Sequence, residues 1–127
     1  LLHVIDTGPR HGLEAYLRGG LPGRAHDVER HTAAAAGSET AAAEAVVQEA
    51  LQAGRTLGLS ARGEVRTGPP EQVIVAIAGE TGANLLVIMA SEGTAGRPQF
   101  GPASVGHVAR FVLDHAPCDV LLLRGAA

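Results

Sequence analysis

Small residues dominate the stretch that follows an apolar run at residues 84–90, and this stretch is the first candidate for chemistry. It contains Gly93 and Ser104 and ends at Gly106 and His107, where a helix is predicted to begin. Glycines let backbone N–H groups approach phosphate oxygens, and a helix N-terminus supplies unpaired donors and partial positive charge. The composition therefore permits a phosphate-binding loop, although most turns of this kind hold no ligand.

The other polar residues form no recognisable catalytic or metal-binding set. His26 and His31 are five apart rather than four, so they do not share a helical face and are predicted to lie in a solvated loop. Cys118 has no base paired with it by any motif and is predicted to be a small buried hydrophobe. Asp6 fits a ligand contact and a turn equally well, and Arg97 fits a phosphate contact and a solvated loop equally well.

Composition excludes several classes of protein. The chain has 127 residues, a formal net charge of −3 and ten basic residues, all of them Arg. Without Lys there is no Walker-A site, Schiff base or kinase machinery, and the low basic charge with 2% aromatic residues argues against nucleic-acid binding. No apolar run is long enough to span a membrane. A single cysteine forms no internal disulfide, so a cytoplasmic location is predicted.

Strands and helices are predicted to alternate along the chain. Apolar runs bounded by turns indicate buried strands, and apolar residues at three-and-four spacing indicate helices. Such alternation is typical of an α/β fold, a parallel sheet sandwiched by helices, within one domain at residues 1–127. The predicted order is strand 1–6, long variable loop 9–37, helix 38–57, strand 61–66, helix 71–81, strand 84–90, helix 106–115 and strand 119–124.

Four blocks of sequence together resemble the universal stress protein family. They are LLHVID at 1–6, GPPE at 68–71, GANLLVIMAS at 82–91 and HAPCDVLLLR at 115–124. The resemblance implies a flavodoxin-like fold, as in the adenine nucleotide alpha hydrolases, with strand order 3-2-1-4-5. It also implies a homodimer and, in one branch of the family, an ATP site with the pattern Gly-x2-Gly-x9-Gly-Ser/Thr.

Two registers place this chain on that pattern. In the first, Ala90 stands at the first glycine, Gly93 at the second and Gly106 at the third, His107 replaces the hydroxyl residue, and twelve residues intervene instead of nine. The second register keeps nine residues and puts Ser104 on the motif, but it lengthens the following helix. We prefer the first register, because a loop with two prolines absorbs an insertion more easily than a packed helix.

The resemblance also aligns the strand at 1–6 with the second strand of the family rather than the first. In that family the first strand lies in the middle of the sheet, and its absence would leave backbone groups of two strands unpaired. We therefore expect about 35–45 further residues upstream, the size of one βα unit.

These inferences favour a non-enzymatic stress-response module that binds ATP or another adenine nucleotide, with Mg²⁺ as an accompanying ion. The alternative is a dimerisation or regulatory module that binds no nucleotide. An ATP-hydrolysing or nucleotidyl-transferring enzyme would need Lys and Gly-rich signatures that are absent. The resemblance implies a nucleotide site at Val4, Met89, Ala90, Gly93, Gly106, His107 and Val108, with Ser104 from the second register, and a homodimer interface at Val120, Leu121, Leu122 and Leu123.

Overall fold

The computed structural model describes residues 1–6, 25–90 and 105–124, with side chains described from residue 34 onward in the second of these ranges. The chain divides into two compact units, Leu1–Pro69 and Pro70–Ala127. Each unit contains a pair of parallel strands with at least one helix. The α/β class with parallel strands is therefore confirmed.

The first unit is a β-α-β arrangement. Strand β1 (Leu2–Asp6) pairs in parallel with β2 (Glu64–Gly68), and helix α1 (Ala25–Thr56) lies between them in sequence. Its core consists of Ile5 from β1 packed with the small apolar side chains of one face of α1. The buried residues of this unit are Ile5, Ala43, Val47 and Leu51.

Helix α1 is longer than the sequence analysis predicted. Residues 25–37 are helical, although the predicted loop covered 9–37 and the predicted helix began at residue 38. The run of four alanines at 33–36 favours helix, and a single Gly37 costs only about 1 kcal/mol relative to Ala in a helix interior. The glycine was therefore too weak a break to end the helix. His26 and His31 fall in this helix, outside the residues whose side chains are described.

The second unit contains two helices and two strands. Helix α2 (Pro70–Glu80) leads into β3 (Leu85–Met89), and helix α3 (His107–His115) leads into β4 (Asp119–Leu123). Strands β3 and β4 pair in parallel, so that Val87 lies opposite Leu121. The two helices pack on each other and α3 packs on β4. Ala78, Ala109 and Val112 form the buried core.

Side chains of β3 and β4 alternate between two environments. Leu86, Ile88, Val120 and Leu122 are half-buried, whereas Leu85, Val87, Met89, Leu121 and Leu123 are exposed. Successive side chains of a strand point to opposite faces of the sheet. One face is therefore partly covered, and the other is apolar and open.

The observed strand neighbours agree with the expected order. β1 pairs with β2 and β3 pairs with β4, the second-with-third and fourth-with-fifth neighbours of the order 3-2-1-4-5. Among the described residues, no helix is long and apolar enough to cross a membrane.

Candidate functional site

The N-termini of α2 and α3 lie at the carboxyl end of the β3–β4 pair. Each helix leads into a strand of the pair, and the strands are parallel, so each helix runs against the strand direction. In open α/β sheets ligands bind outside the carboxyl ends of the strands. The start of α3 is therefore the part of the second unit best placed for a ligand.

Gly106 precedes α3 with a backbone conformation that other residues rarely adopt. Its φ is 90° and its ψ is 161°, a region populated essentially by glycine alone. Its carbonyl accepts the N–H of Arg110 at 3.1 Å, so Gly106 is the residue that opens the helix. The helix thus begins at His107. The first motif register, which puts Gly106 at the third glycine, predicts a helix that starts at this position.

The first residues of α3 differ in their exposure. The side chain of His107 is 79% exposed, that of Val108 is half-buried, and Ala109 is buried in the core. The first N–H groups of any helix have no partner within the helix and carry partial positive charge. Together with an accessible imidazole, they can donate hydrogen bonds to an anionic group.

A carboxylate lies beside this helix start. Glu71 in the first turn of α2 has its Oε1 atom 3.9 Å from Nε2 of His107, and its side chain is only 18% exposed. Sequence reasoning missed this contact. The signal that could have found it is the packing of two helices that both precede strands of one parallel pair, which brings their first turns together.

Ala90 stands at the first glycine of the motif, but its backbone N–H already has a partner in the sheet. Its N–H donates to the carbonyl of Leu123 at 2.7 Å, which extends the β3–β4 ladder by one residue. That N–H is therefore occupied by the sheet. The side chain of Met89 is 63% exposed and lies on the open apolar face of β3, opposite to the half-buried face.

Val4 belongs to the first unit, where it lines an open pocket of about 390 Å³. The candidate Asp6 also lines this pocket. Gly93 and Ser104 lie outside the described residues. Among the described residues, the pocket is lined by His3, Val4, Ile5 and Asp6 from β1 and by Glu39, Ala42, Ala43 and Val46 from α1.

The described residues hold no group of three or more His, Cys, Asp or Glu side chains that could bind a metal ion. Cys118 is a free, half-buried thiol at the start of β4.

Comparison with known proteins decides the family. The sequence model of the universal stress protein family matches residues 1–124. The chain belongs to the universal stress protein family. The solved structure of the hypothetical protein MJ0577 is similar to this universal stress protein, with a TM-score of 0.58 and 17% identity over the whole of this chain and 75% of that one. No curated protein matches the chain. The flavodoxin-like fold is thus confirmed.

Proposed function

We propose that this universal stress protein is a non-enzymatic stress-response module that binds an adenine nucleotide with its phosphate at the N-terminus of α3. The observation that carries the proposal is the start of that helix. Gly106, at φ 90°, opens the helix at the carboxyl end of a parallel strand pair and is followed by the exposed imidazole of His107. A phosphate there would receive N–H groups, the helix dipole and an imidazole donor.

Further residues would complete the site. Gly106, His107 and Val108 would contact phosphate, with Gly93 as the second glycine of the motif and Ser104 as the residue of the alternative register. Val4, in the first unit, is the candidate contact to adenine through its backbone, as the family resemblance implies. Met89 and Ala90 are the candidate contacts on the base and ribose side. The side chain of Met89 lies on the exposed face of β3.

We assign any Mg²⁺ to the nucleotide rather than to a protein cage. In nucleotide sites Mg²⁺ keeps several waters and is bound largely through the phosphates, and the described residues hold no group of three or more His, Cys, Asp or Glu side chains that could bind it. The ion would screen charge between phosphate groups. No catalytic residue is assigned, since the sequence contains no Lys and shows no Ser-His-Asp order or paired carboxylates.

Isothermal titration calorimetry with ATP, ADP, AMP and GMP tests this function. The expected result is saturable binding of at least one adenine nucleotide with one site per chain and no binding of GMP. A Gly106→Val variant is expected to lose that binding, because a β-branched residue is strongly strained at this φ. Failure of all three adenine nucleotides to bind at millimolar concentration would contradict the proposal.

The second candidate function is a dimerisation or regulatory module that binds no nucleotide. The observation that favours it is the state of Ala90, whose methyl group stands at the first glycine of the motif and whose N–H is held by Leu123. The same titration separates the two candidates, because this module would give no heat with any nucleotide.

Either candidate includes a homodimer formed through β4. This strand pairs with β3 along one edge, and no described strand pairs with its other edge. Open strand edges with apolar side chains are templates for pairing, and Leu121 and Leu123 are 48% and 42% exposed. Pairing of Val120, Leu121, Leu122 and Leu123 with the same residues of a second copy would give a two-fold interface.

A further inference from the structure

The ion-pair contact between α2 and α3 brings a fixed carboxylate next to the proposed phosphate position. Oε1 of Glu71 lies 3.9 Å from Nε2 of His107. The two side chains differ in freedom, since Glu71 is 18% exposed and His107 is 79% exposed. Glu71 is therefore held in place by its surroundings, whereas His107 can turn towards a ligand.

The position of Glu71 is favourable for the protein without a ligand. It occupies the first turn of α2, where a negative charge is stabilised by the helix dipole. It also lies near the first residue of α3, whose N-terminus has the same partial positive charge. The carboxylate thus supplies, from within the chain, part of the negative charge that these two helix ends attract.

A phosphate that binds at His107 must share this space with the carboxylate. Like charges a few ångströms apart repel each other, and the repulsion grows with the number of charges on the ligand. A single imidazole supplies at most one compensating charge, whereas a triphosphate carries several. A highly charged polyphosphate is therefore penalised more strongly than a monophosphate.

We infer that Glu71 selects ligands by charge, so that the site favours a nucleoside monophosphate over the free triphosphate. This inference rests on the proposed function, because it concerns the same nucleotide site. Glu71 acts here as a specificity-determining residue: its carboxylate lowers the affinity for each additional negative charge. Its removal is expected to strengthen AMP binding about two- to fivefold, the range typical of partly exposed charge pairs, and to strengthen ATP binding more.

Calorimetry in EDTA, at fixed ionic strength and pH 7.5, tests this selection with adenosine, AMP and ATP. The wild-type protein is expected to bind AMP at least as tightly as ATP. Glu71→Gln is expected to improve ATP binding more than AMP binding and to leave adenosine binding unchanged. Raising the salt concentration should shrink the difference between variant and wild type, because mobile ions screen charge.

The matched control is Glu80→Gln, which neutralises a carboxylate at the opposite end of the same helix and is exposed. It is expected to leave all three affinities unchanged. Thermal unfolding of each variant, followed by circular dichroism, establishes that the fold is retained.

Three results would overturn the inference while leaving the proposed function intact. They are an unchanged ratio of AMP to ATP affinity in Glu71→Gln, an equal gain for uncharged adenosine, and weaker ATP binding by Glu71→Gln when Mg²⁺ is added, which would make Glu71 a ligand of the ion. Absence of binding by any nucleotide to wild type and variants alike would instead remove the proposed function, and the inference with it.

Discussion

His107 occupies a position where the family motif has a hydroxyl residue, and this exchange gives the proposed site a ring nitrogen as its donor. The side chain is 79% exposed and can therefore reach a bound phosphate. A hydrogen bond from a side chain to a charged group contributes about 1.5–3 kcal/mol. The loss of such a bond is large enough to be measured by substitution of His107.

We predict that His107→Ala weakens nucleotide binding about tenfold or more, the loss expected for one hydrogen bond to a charged group. His107→Ser should lose less, because a hydroxyl can donate in place of the ring nitrogen. Binding isotherms measure both variants, and His115→Ala, at the far end of α3, should keep the wild-type affinity. Wild-type affinity in His107→Ala would remove His107 from the phosphate site and favour Ser104.

Gly106 leads to a prediction about stability. Ala at φ 90° and ψ 161° is strained, so Gly106→Ala should lower the free energy of unfolding by about 1–3 kcal/mol. Gly79→Ala is the matched control, because Gly79 lies inside α2 and an added Cβ would meet no atom within 4 Å. That change should raise the free energy of unfolding by up to about 1 kcal/mol. Urea unfolding measures both. Equal effects of the two substitutions would contradict the strained conformation.

The sequence alone predicted some residues of the candidate site and missed one of their contacts. Counting back from Pro117 and Cys118 gives Gly106 and His107 as the start of the helix, and the structure begins α3 there. The contact with Glu71 could not be read from the sequence, because 35 residues separate the two side chains and only helix packing joins them.

The bounds of helices and strands were predicted well where apolar residues recur regularly. They were predicted poorly where only a single glycine or a weak alternation marks an end. The unbroken apolar run at β3 and the amphipathic pattern of α3 gave boundaries within one residue of those observed. The predicted start of α1 at residue 38 is too late, because the prediction assigns Gly37 and the alanines before it to a loop. The strand at 61–66 is instead Glu64–Gly68, since its weak alternation gave no sharp start.

Gly63 lies just before β2, where the backbone passes close to α1. A Cβ at this position would collide with Cγ1 of Val47 and would lie 2.9 Å from Cδ1 of Leu51, both in the core of the first unit. The backbone therefore passes the helix at a distance that only glycine permits.

We predict that Gly63→Ala lowers the free energy of unfolding by about 1–3 kcal/mol, the usual cost of overpacking a core. Gly37→Ala, in the same unit, should have the opposite sign, because nothing lies within 4 Å of its added Cβ and it removes a helical glycine. Urea unfolding monitored by circular dichroism compares them. If Gly63→Ala proved as stable as the wild type, the close approach of this segment to α1 would be wrong.

In the molecule as a whole, the apolar composition of β3 predicts that both of its faces are buried. Among the described residues, one of these faces remains exposed. Parallel strands that are apolar on both faces are typically covered on both, yet Val87 and Met89 are 55% and 63% exposed. The fold class and the neighbours of each strand were predictable from alternation and family resemblance. The homodimer interface at β4 comes from the resemblance alone and stays a prediction, because a sequence pattern shows that a residue is apolar and does not show what covers it.

We predict a homodimer that depends on β4. Leu121→Arg should give a monomer by multi-angle light scattering at micromolar concentration, because it places a charge in the proposed interface. Leu113→Arg is the matched control: Leu113 lies on α3 and is 46% exposed, against 48% for Leu121. It should remain dimeric. A monomeric wild type, or a dimeric Leu121→Arg variant, would exclude this interface.

The most direct test of the nucleotide site is a two-dimensional amide spectrum of the isotopically labelled chain titrated with AMP. If phosphate binds where α3 begins, the N–H resonances of Gly106, His107 and Val108 will shift in a saturable manner, and those of His115 and Ala116 at the other end of the helix will not. Saturable shifts confined to other residues, or no shift at millimolar AMP, would contradict the site proposed here.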